Sequence, residues 1–241
     1  MNGFRGTVAV ITGASGGIGG AIAIALAKEG ARLLLAGRDA EKLEMIAERA
    51  RDLSPGVEIF AADLSEDEPV RALADRAQAA FGGVNVLIHS IGIFLAGPVE
   101  TTPVEALDRQ YRVNTRAPYL LTQALLPSLI SRQGQVVFIN SSAGFHPARG
   151  NWAAYSASKH ALRALADGLR AEVNEKGVRV VSVYPGRTAT AMQEEVHEFE
   201  GRPYDPERFL QPRDVAATVV NALALPRTAE VTDLHIRPMR G

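Results

Sequence analysis

The sequence predicts one α/β domain, a parallel sheet of about seven strands doubly wound, with helices on both faces. Three observations carry this. Apolar runs of strand type recur between segments of helical periodicity. The runs stay apolar along their length instead of alternating with polar residues, which marks strands buried on both faces. No stretch rich in Gly, Ser or Pro divides the chain, so residues 1–241 read as a single domain. A hydrophobic content of 46% against 22% charged residues supplies the apolar surface that such a core needs.

The elements follow in order. Strands are expected over 7–12, 31–36, 57–61, 84–89, 135–140 and 179–184, with a seventh within the C-terminal "EVTDLHI". Helices are expected over 17–29, 40–53, 66–81, 103–131 and 152–176, one after each of the first five strands. Repeated strand–helix units imply right-handed crossovers. The least regular region is 186–212. It mixes acids such as Glu194, Glu198 and Glu200 with Arg187, Arg202 and Arg208. A long insertion after a strand suits a substrate lid. The plainer reading is an acidic surface helix.

Composition excludes several functions. A net charge of −1 provides no global field to draw the chain to nucleic acid or lipid. The absence of cysteine excludes disulfides, thiolate-bound metals and thiol catalysis, and no metal site is expected. No stretch approaches the roughly 20 apolar residues that span a bilayer. The N-terminus lacks a charged segment followed by a long apolar one, so it does not read as a signal peptide. The expectation is a cytoplasmic protein with a small-molecule partner, and neither nucleic acid nor membrane.

"VAVITGASGGIGGAIAIALAKEG" supplies the first chemistry. A strand runs into Gly13, then Gly16, Gly17 and Gly19, and then a helix. Glycine lets backbone approach a ligand closely. The helix N-terminus offers free N–H groups and partial positive charge to a pyrophosphate. On the first strand–helix junction of such a sheet, this is a Rossmann-like dinucleotide site. The second strand ends "LLLAGRD", where an acidic residue would bind the ribose 2′-hydroxyl of NAD. Here Gly37 is followed by Arg38, whose guanidinium suits a 2′-phosphate. NADP(H) is therefore favoured over NAD(H). The alternative has Arg38 solvated and Asp39 as the acid, although Asp39 also suits a cap for the helix starting at Ala40.

"YSASK" places Tyr155 and Lys159 on one helical face with small residues between. Hydride transfer to a carbonyl builds negative charge on its oxygen, which needs a proton donor and a polar pocket. A phenol has a pKa near 10, and a nearby ammonium favours the phenolate and lowers it. Taken alone, such a pair is more often plain surface; the glycine turn upstream changes its weight.

Thr12-Gly13-Ala14-Ser15-Gly16-Gly17-Ile18-Gly19, followed by Tyr155-x-x-x-Lys159 with a serine upstream, resembles the short-chain dehydrogenase/reductase family over nearly the whole chain. The resemblance implies an NAD(P)-dependent oxidoreductase acting on a CH–OH/C=O pair, and a homodimer or homotetramer. It implies that Lys159 also binds the ribose hydroxyls. It places the catalytic serine thirteen residues before the tyrosine, which selects Ser142 in "INSSAG", with Ser141 as the alternative. Asn114, a poor choice for a helix interior, would hold a water that links Lys159 to solvent. That completes a set of Ser142, Tyr155, Lys159 and Asn114.

On the cofactor side the resemblance implies Gly13, Ser15, Gly16, Ile18 and Gly19 in the turn around the phosphates. It sets Asp63 on the adenine with Leu64 beside it, unless Asp63 is merely a turn acid. It sets Gly92 after the fourth strand, and Pro185 and Gly186 beside the nicotinamide. Thr190 would meet the carboxamide, or merely belong to a turn. The family's N-N-A-G after strand four is His89-Ser90-Ile91-Gly92 here, with only the glycine kept. His89 reads as structural. Ile93, Phe94, Phe145, His146, Trp152 and Met192 are candidates for a partly apolar pocket. The expected activity is NADP(H)-dependent reduction of a small ketone or aldehyde. The alternatives are an NAD-dependent alcohol or hydroxy-acid dehydrogenase, and a nucleotide-binding regulator without the chemistry.

Overall fold

The computed structural model describes residues 3–146, 148 and 150–239. Seven strands form one sheet: β1 (Val8–Thr12), β2 (Arg32–Gly37), β3 (Val57–Ala61), β4 (Val86–His89), β5 (Gln135–Ile139), β6 (Arg179–Pro185) and β7 (Asp233–Ile236). Every pairing is parallel, in the order β3-β2-β1-β4-β5-β6-β7. The chain thus winds outward in both directions from the β1–β4 pair. A crevice opens at the C-terminal strand ends where that direction reverses, the place where such sheets bind ligands.

The unbroken apolar runs serve two helical layers. Ala9 and Ile11 of β1 pack with α1 (Gly17–Lys28), α2 (Ala40–Arg51) and α8 (Pro212–Leu223), through Leu26, Leu43 and Val219. Val10 of the same strand packs with α3 (Asp67–Phe81), α5 (Ala117–Ser131) and α6 (Ala153–Val173), through Leu73, Leu125 and Leu162. Side chains alternate across a strand, so a strand between two apolar layers has no polar face to present.

The expected helix over 103–131 is interrupted. It runs as α4 (Val104–Tyr111), a π segment (Arg112–Arg116) and α5. Tertiary bonds to α6 compensate the looser turn. Asn114 Nδ2 donates to Ser158 Oγ at 3.0 Å and Thr115 Oγ1 donates to the Ser158 carbonyl at 2.9 Å. π segments of this kind gather at functional sites.

Region 186–212 is also ordered. Thr190 caps α7 (Ala191–Glu200), accepting from the Gln193 N–H, and Gly201 ends it in the left-handed conformation. A single parallel bridge pairs Thr188 with Leu210 and joins the two ends of the segment. Arg187 Nη2 donates to both carboxylate oxygens of Glu200, at 2.7 and 2.8 Å, fastening α7 to the end of β6. Among the described residues no helix is long and apolar enough to cross a membrane, and no group of three or more His, Asp or Glu could hold a metal.

Candidate active site

The turn between β1 and α1 is built on close approach. Gly13 has a φ of +67°, and a Cβ there would stand 2.6 Å from the Ser90 carbonyl oxygen. A Cβ on Gly19 would stand 2.3 Å from the carbonyl oxygen of Gly13. Glycine alone lets the turn, the helix and the loop after β4 meet this closely. No side chain caps α1 at Gly16, so its first N–H groups are left as donors for an anion. These features fit a pyrophosphate, and Ile18 of α1 lines the same cavity as Tyr155.

At the end of β2, Asp39 Oδ1 accepts from the Lys42 N–H at 3.0 Å and the carboxylate pairs with Lys42 Nζ at 3.1 Å. Asp39 is therefore committed to capping α2. Arg38 beside it is exposed, and Ser15 Oγ lies 3.1 Å from the position a Gly37 Cβ would take. Asp63 makes a turn, its Oδ1 accepting from the Ser65 N–H at 2.9 Å. Partial burial works to raise its carboxyl pKa. The Ser65 hydrogen bonds and the fields of Arg38 and Arg109 outweigh burial and hold it below the usual carboxylate value. Arg38 and Asp63 thus share one rim, with Leu64 buried beneath.

Tyr155 and Lys159 are both buried on α6. Lys159 Nζ lies 6.0 Å from the Tyr155 ring centroid and donates to the Ile139 carbonyl at 3.3 Å. Burial lowers the Lys159 ammonium from 10.5 to about 8. Burial also raises the Tyr155 phenol above 10.0, and the neighbouring Ser141 hydroxyl pulls it partly back. This corrects the expectation of a phenol lowered by its lysine. In a dry pocket desolvation disfavours both charged forms. Tyr155 is held as the protonated acid.

The two candidate serines stand side by side. Ser141 and Ser142 both line the cavity with Tyr155, and Ser141 is near enough to weaken the rise of the phenol pKa. Ser142 opens a short 3₁₀ turn (Ser142–Gly144), which Ser141 caps by accepting from the Ala143 N–H at 3.1 Å. Asn114 is completely buried. Besides its bond to Ser158, Nδ2 donates to the Ile93 carbonyl at 3.0 Å and Oδ1 accepts from the Ile93 N–H at 2.8 Å. Ser158 Oγ in turn donates to the Tyr155 carbonyl at 2.7 Å. The Asn114 side chain is a clamp joining the loop after β4 to α6. A Cβ on Gly92 would lie 3.5 Å from Asn114 Oδ1 and 3.6 Å from Lys159 Nζ.

Ser141, Ser142 and Tyr155 border a cavity of about 590 Å³ at the C-terminal strand ends, which Lys159 and Asn114 do not line. Pro185, Gly186 and Thr190 line it, as do the pocket candidates Phe94, His146, Trp152 and Met192. Phe94 stands edge-on to Tyr155 and Trp152, with centroids 5.1 and 4.9 Å away. Ile93 and Phe145 do not line it. Ile93 serves Asn114 through its backbone, and Phe145 turns to His235 at 4.5 Å. His89 is buried inside the sheet, its Nε2 2.8 Å from Thr122 Oγ1, and burial lowers it to about 3, so it is neutral and structural. Sequence reasoning missed Gln193, Val196, Phe209, Arg202 and Arg237 of the lining, and Arg187 as part of it. A signal existed for Arg237, which directly follows a strand of a parallel sheet, on the edge where ligands bind.

A family model described as "short chain dehydrogenase" matches residues 7–201. An uncharacterized oxidoreductase of Staphylococcus aureus is 35% identical over 235 residues, covering 96% of this chain and 97% of the relative. A metagenomic short-chain oxidoreductase solved in complex with NADP superposes with a TM-score of 0.85 at 33% identity, over 98% of this chain and 99% of its own. An alcohol dehydrogenase from the archaeon Thermococcus sibiricus, complexed with 5-hydroxy-NADP, superposes with a TM-score of 0.87 at 29% identity, over 98% and 97%.

Proposed function

The chain belongs to the short-chain dehydrogenase family, and on that premise we propose that it is an NADP(H)-dependent carbonyl reductase. Membership makes it an oxidoreductase acting on a CH–OH/C=O pair. The finer reading adds the cofactor, the direction and the residues. One observation carries it: Tyr155, buried and one turn from Lys159, borders a cavity shared with Ser141, Ser142 and the glycine-turn helix.

NADP(H), when bound, supplies or accepts the hydride. The residues around it do the rest. The Tyr155 hydroxyl gives its proton to the carbonyl oxygen as charge develops there. Ser141 donates a hydrogen bond to the same oxygen and fixes the phenol's direction. Lys159 offers its ammonium to the ribose hydroxyls and to the phenolate left after proton transfer. Asn114 holds the loop after β4 against α6, which keeps Lys159 in place. The aromatic wall of Phe94 and Trp152 excludes water from the reacting centre, and the α7 segment acts as a lid.

Arg38 supports NADP over NAD, since Asp39 is committed to its cap and no acid stands at Gly37. The relatives solved with NADP and 5-hydroxy-NADP support the same choice. We take the enzyme as a single catalytic domain that works as a homo-oligomer. The test is absorbance-monitored consumption of NADPH and NADH, side by side, over a panel of aldehydes, ketones and diketones. NADPH-dependent turnover of a carbonyl is the expected result. Tight NADPH binding without turnover of any carbonyl would make the chain a nucleotide-binding protein instead.

A further inference from the structure

We infer that the carbonyl substrate is an anion, an apolar body carrying a carboxylate, recognised by Arg237 together with Arg202. This rests on the reductase reading and names the substrate class for that site.

The cavity wall carries Arg187, Arg202 and Arg237, and no Asp or Glu among the described residues. That imbalance stands out in a chain whose net charge is −1. The three arginines are not equivalent. Arg187 is matched: its Nη2 binds both oxygens of Glu200, and its Nη1 lies 3.1 Å from His197 Nε2. Arg202 reaches the same Glu200 only at 3.7 Å, and that carboxylate is already taken. Arg237 has no hydrogen bond or ion pair among the described residues. One carboxylate thus stands against three cations, and two guanidinium groups remain to meet an anion.

The cofactor's own phosphates do not account for Arg237. Arg38 follows β2 and the glycine turn follows β1, whereas Arg237 follows β7 at the far edge of the sheet. In the strand order these are five and four spacings apart, about 24 and 19 Å at roughly 4.8 Å each. Arg237 stands beside the turn that ends β6, its Cα 3.4 Å from the position a Gly186 Cβ would take. On the same wall, Phe94, Trp152 and Met192 offer an apolar surface next to Tyr155. A molecule with its carbonyl at Tyr155, a ring or chain on that wall and a carboxylate toward Arg237 meets every group. A guanidinium fork pairs well with a carboxylate. The carboxylate takes no part in the reaction; it orients the carbonyl.

The experiment pairs acids with their methyl esters: 4-formylbenzoate and 4-oxo-4-phenylbutanoate, each against its ester, with NADPH. The expected result is a kcat/KM ratio of acid to ester of about five or more, given one or two partly exposed pairs. Added salt should lower the ratio, and Arg202→Ala/Arg237→Ala should bring it close to one. NADPH titration checks that the variant retains its fold; if the double variant fails, Arg237→Gln alone replaces it. Equal reduction of acid and ester, or a ratio that survives in the variant, overturns the inference.

Absence of turnover has a separate meaning. Calorimetry on the complex with NADP⁺ then compares 4-(hydroxymethyl)benzoate with its methyl ester. Tighter acid binding that is lost in the variant upholds the anion site while the reductase reading fails. Equal binding overturns the anion site itself.

Discussion

The two halves of the crevice are made of different material. Around β1 and β2 the ligand surface is largely backbone: a glycine turn, an uncapped helix end and one exposed arginine, all within residues 13–38. Around β5, β6 and β7 it is side chain, gathered from Ser141, Ser142 and Tyr155 and from walls spread over several elements. A backbone-made site admits almost no variation, because a Cβ at Gly19 would meet a carbonyl oxygen at 2.3 Å. A side-chain-made site can change its chemistry while the sheet stays the same. The lesson is that cofactor binding and turnover should come apart under mutation.

Tyr155→Phe is the strongest test. It removes the transferable proton and little else, so turnover should fall about 10²- to 10⁴-fold while NADPH binding, followed by fluorescence, stays close to wild type. Parallel loss of both would erase the division between the halves. Next in size, Ser141→Ala should lower kcat about a hundredfold, as loss of one donor to a developing oxyanion does. Ser142→Ala should cost much less. Steady-state kinetics on the two variants decide, and the reverse order would return the role to Ser142.

Arg38→Ala should act on the other half alone. A charge-assisted contact contributes roughly 1.5–3 kcal/mol, and exposure of Arg38 places the loss at the lower end, about tenfold in NADPH affinity. NADH affinity should not change; equal weakening of both would remove Arg38 as the phosphate ligand. Gly37→Asp should push the preference further toward NADH, provided Ser15 Oγ turns aside from the new Cβ at 3.1 Å. The smallest effect is that of pH. Lys159 titrates near 8, and its charged form lies below that value. The rate of carbonyl reduction should therefore fall as pH rises through about 8, to roughly half at the midpoint. Tyr155, raised above 10.0, stays protonated across that range. A flat profile there would show that the Lys159 charge does not govern the rate.

Most of the fold was legible because it rests on local pattern. The apolar runs gave the strands to within a residue or two, 84–89 against Val86–His89 and 31–36 against Arg32–Gly37. What escaped depends on contacts that no local pattern encodes. The π segment exists because Asn114 and Thr115 reach Ser158, 44 and 43 residues away. Which of Ser141 and Ser142 meets the substrate depends on how the 3₁₀ turn at Ser142–Gly144 orients them, which a count of residues does not register. The direction of the Tyr155 shift needed burial, and burial is a property of the packed molecule. Arg187, Arg202 and Arg237 come from two loops and a strand end, and only the sheet order brings them to one wall.

The bridge between Thr188 and Leu210 has a further consequence. The Ala189 N–H donates to the Leu210 carbonyl at 2.8 Å and the Leu210 N–H to the Arg187 carbonyl at 3.1 Å. The stretch between is therefore a cassette whose two ends are stitched side by side at a narrow neck. With its ends already joined, lengthening or replacing it adds little closure entropy, about 0.6 kcal/mol for each doubling of length. The sheet, the glycine turn and the Tyr155 cluster lie outside the neck. Grafting a different cassette that keeps Thr190, which packs on the glycine turn, would refashion the wall carried by Met192, Val196 and Arg202, leaving Tyr155 and Lys159 where they stand.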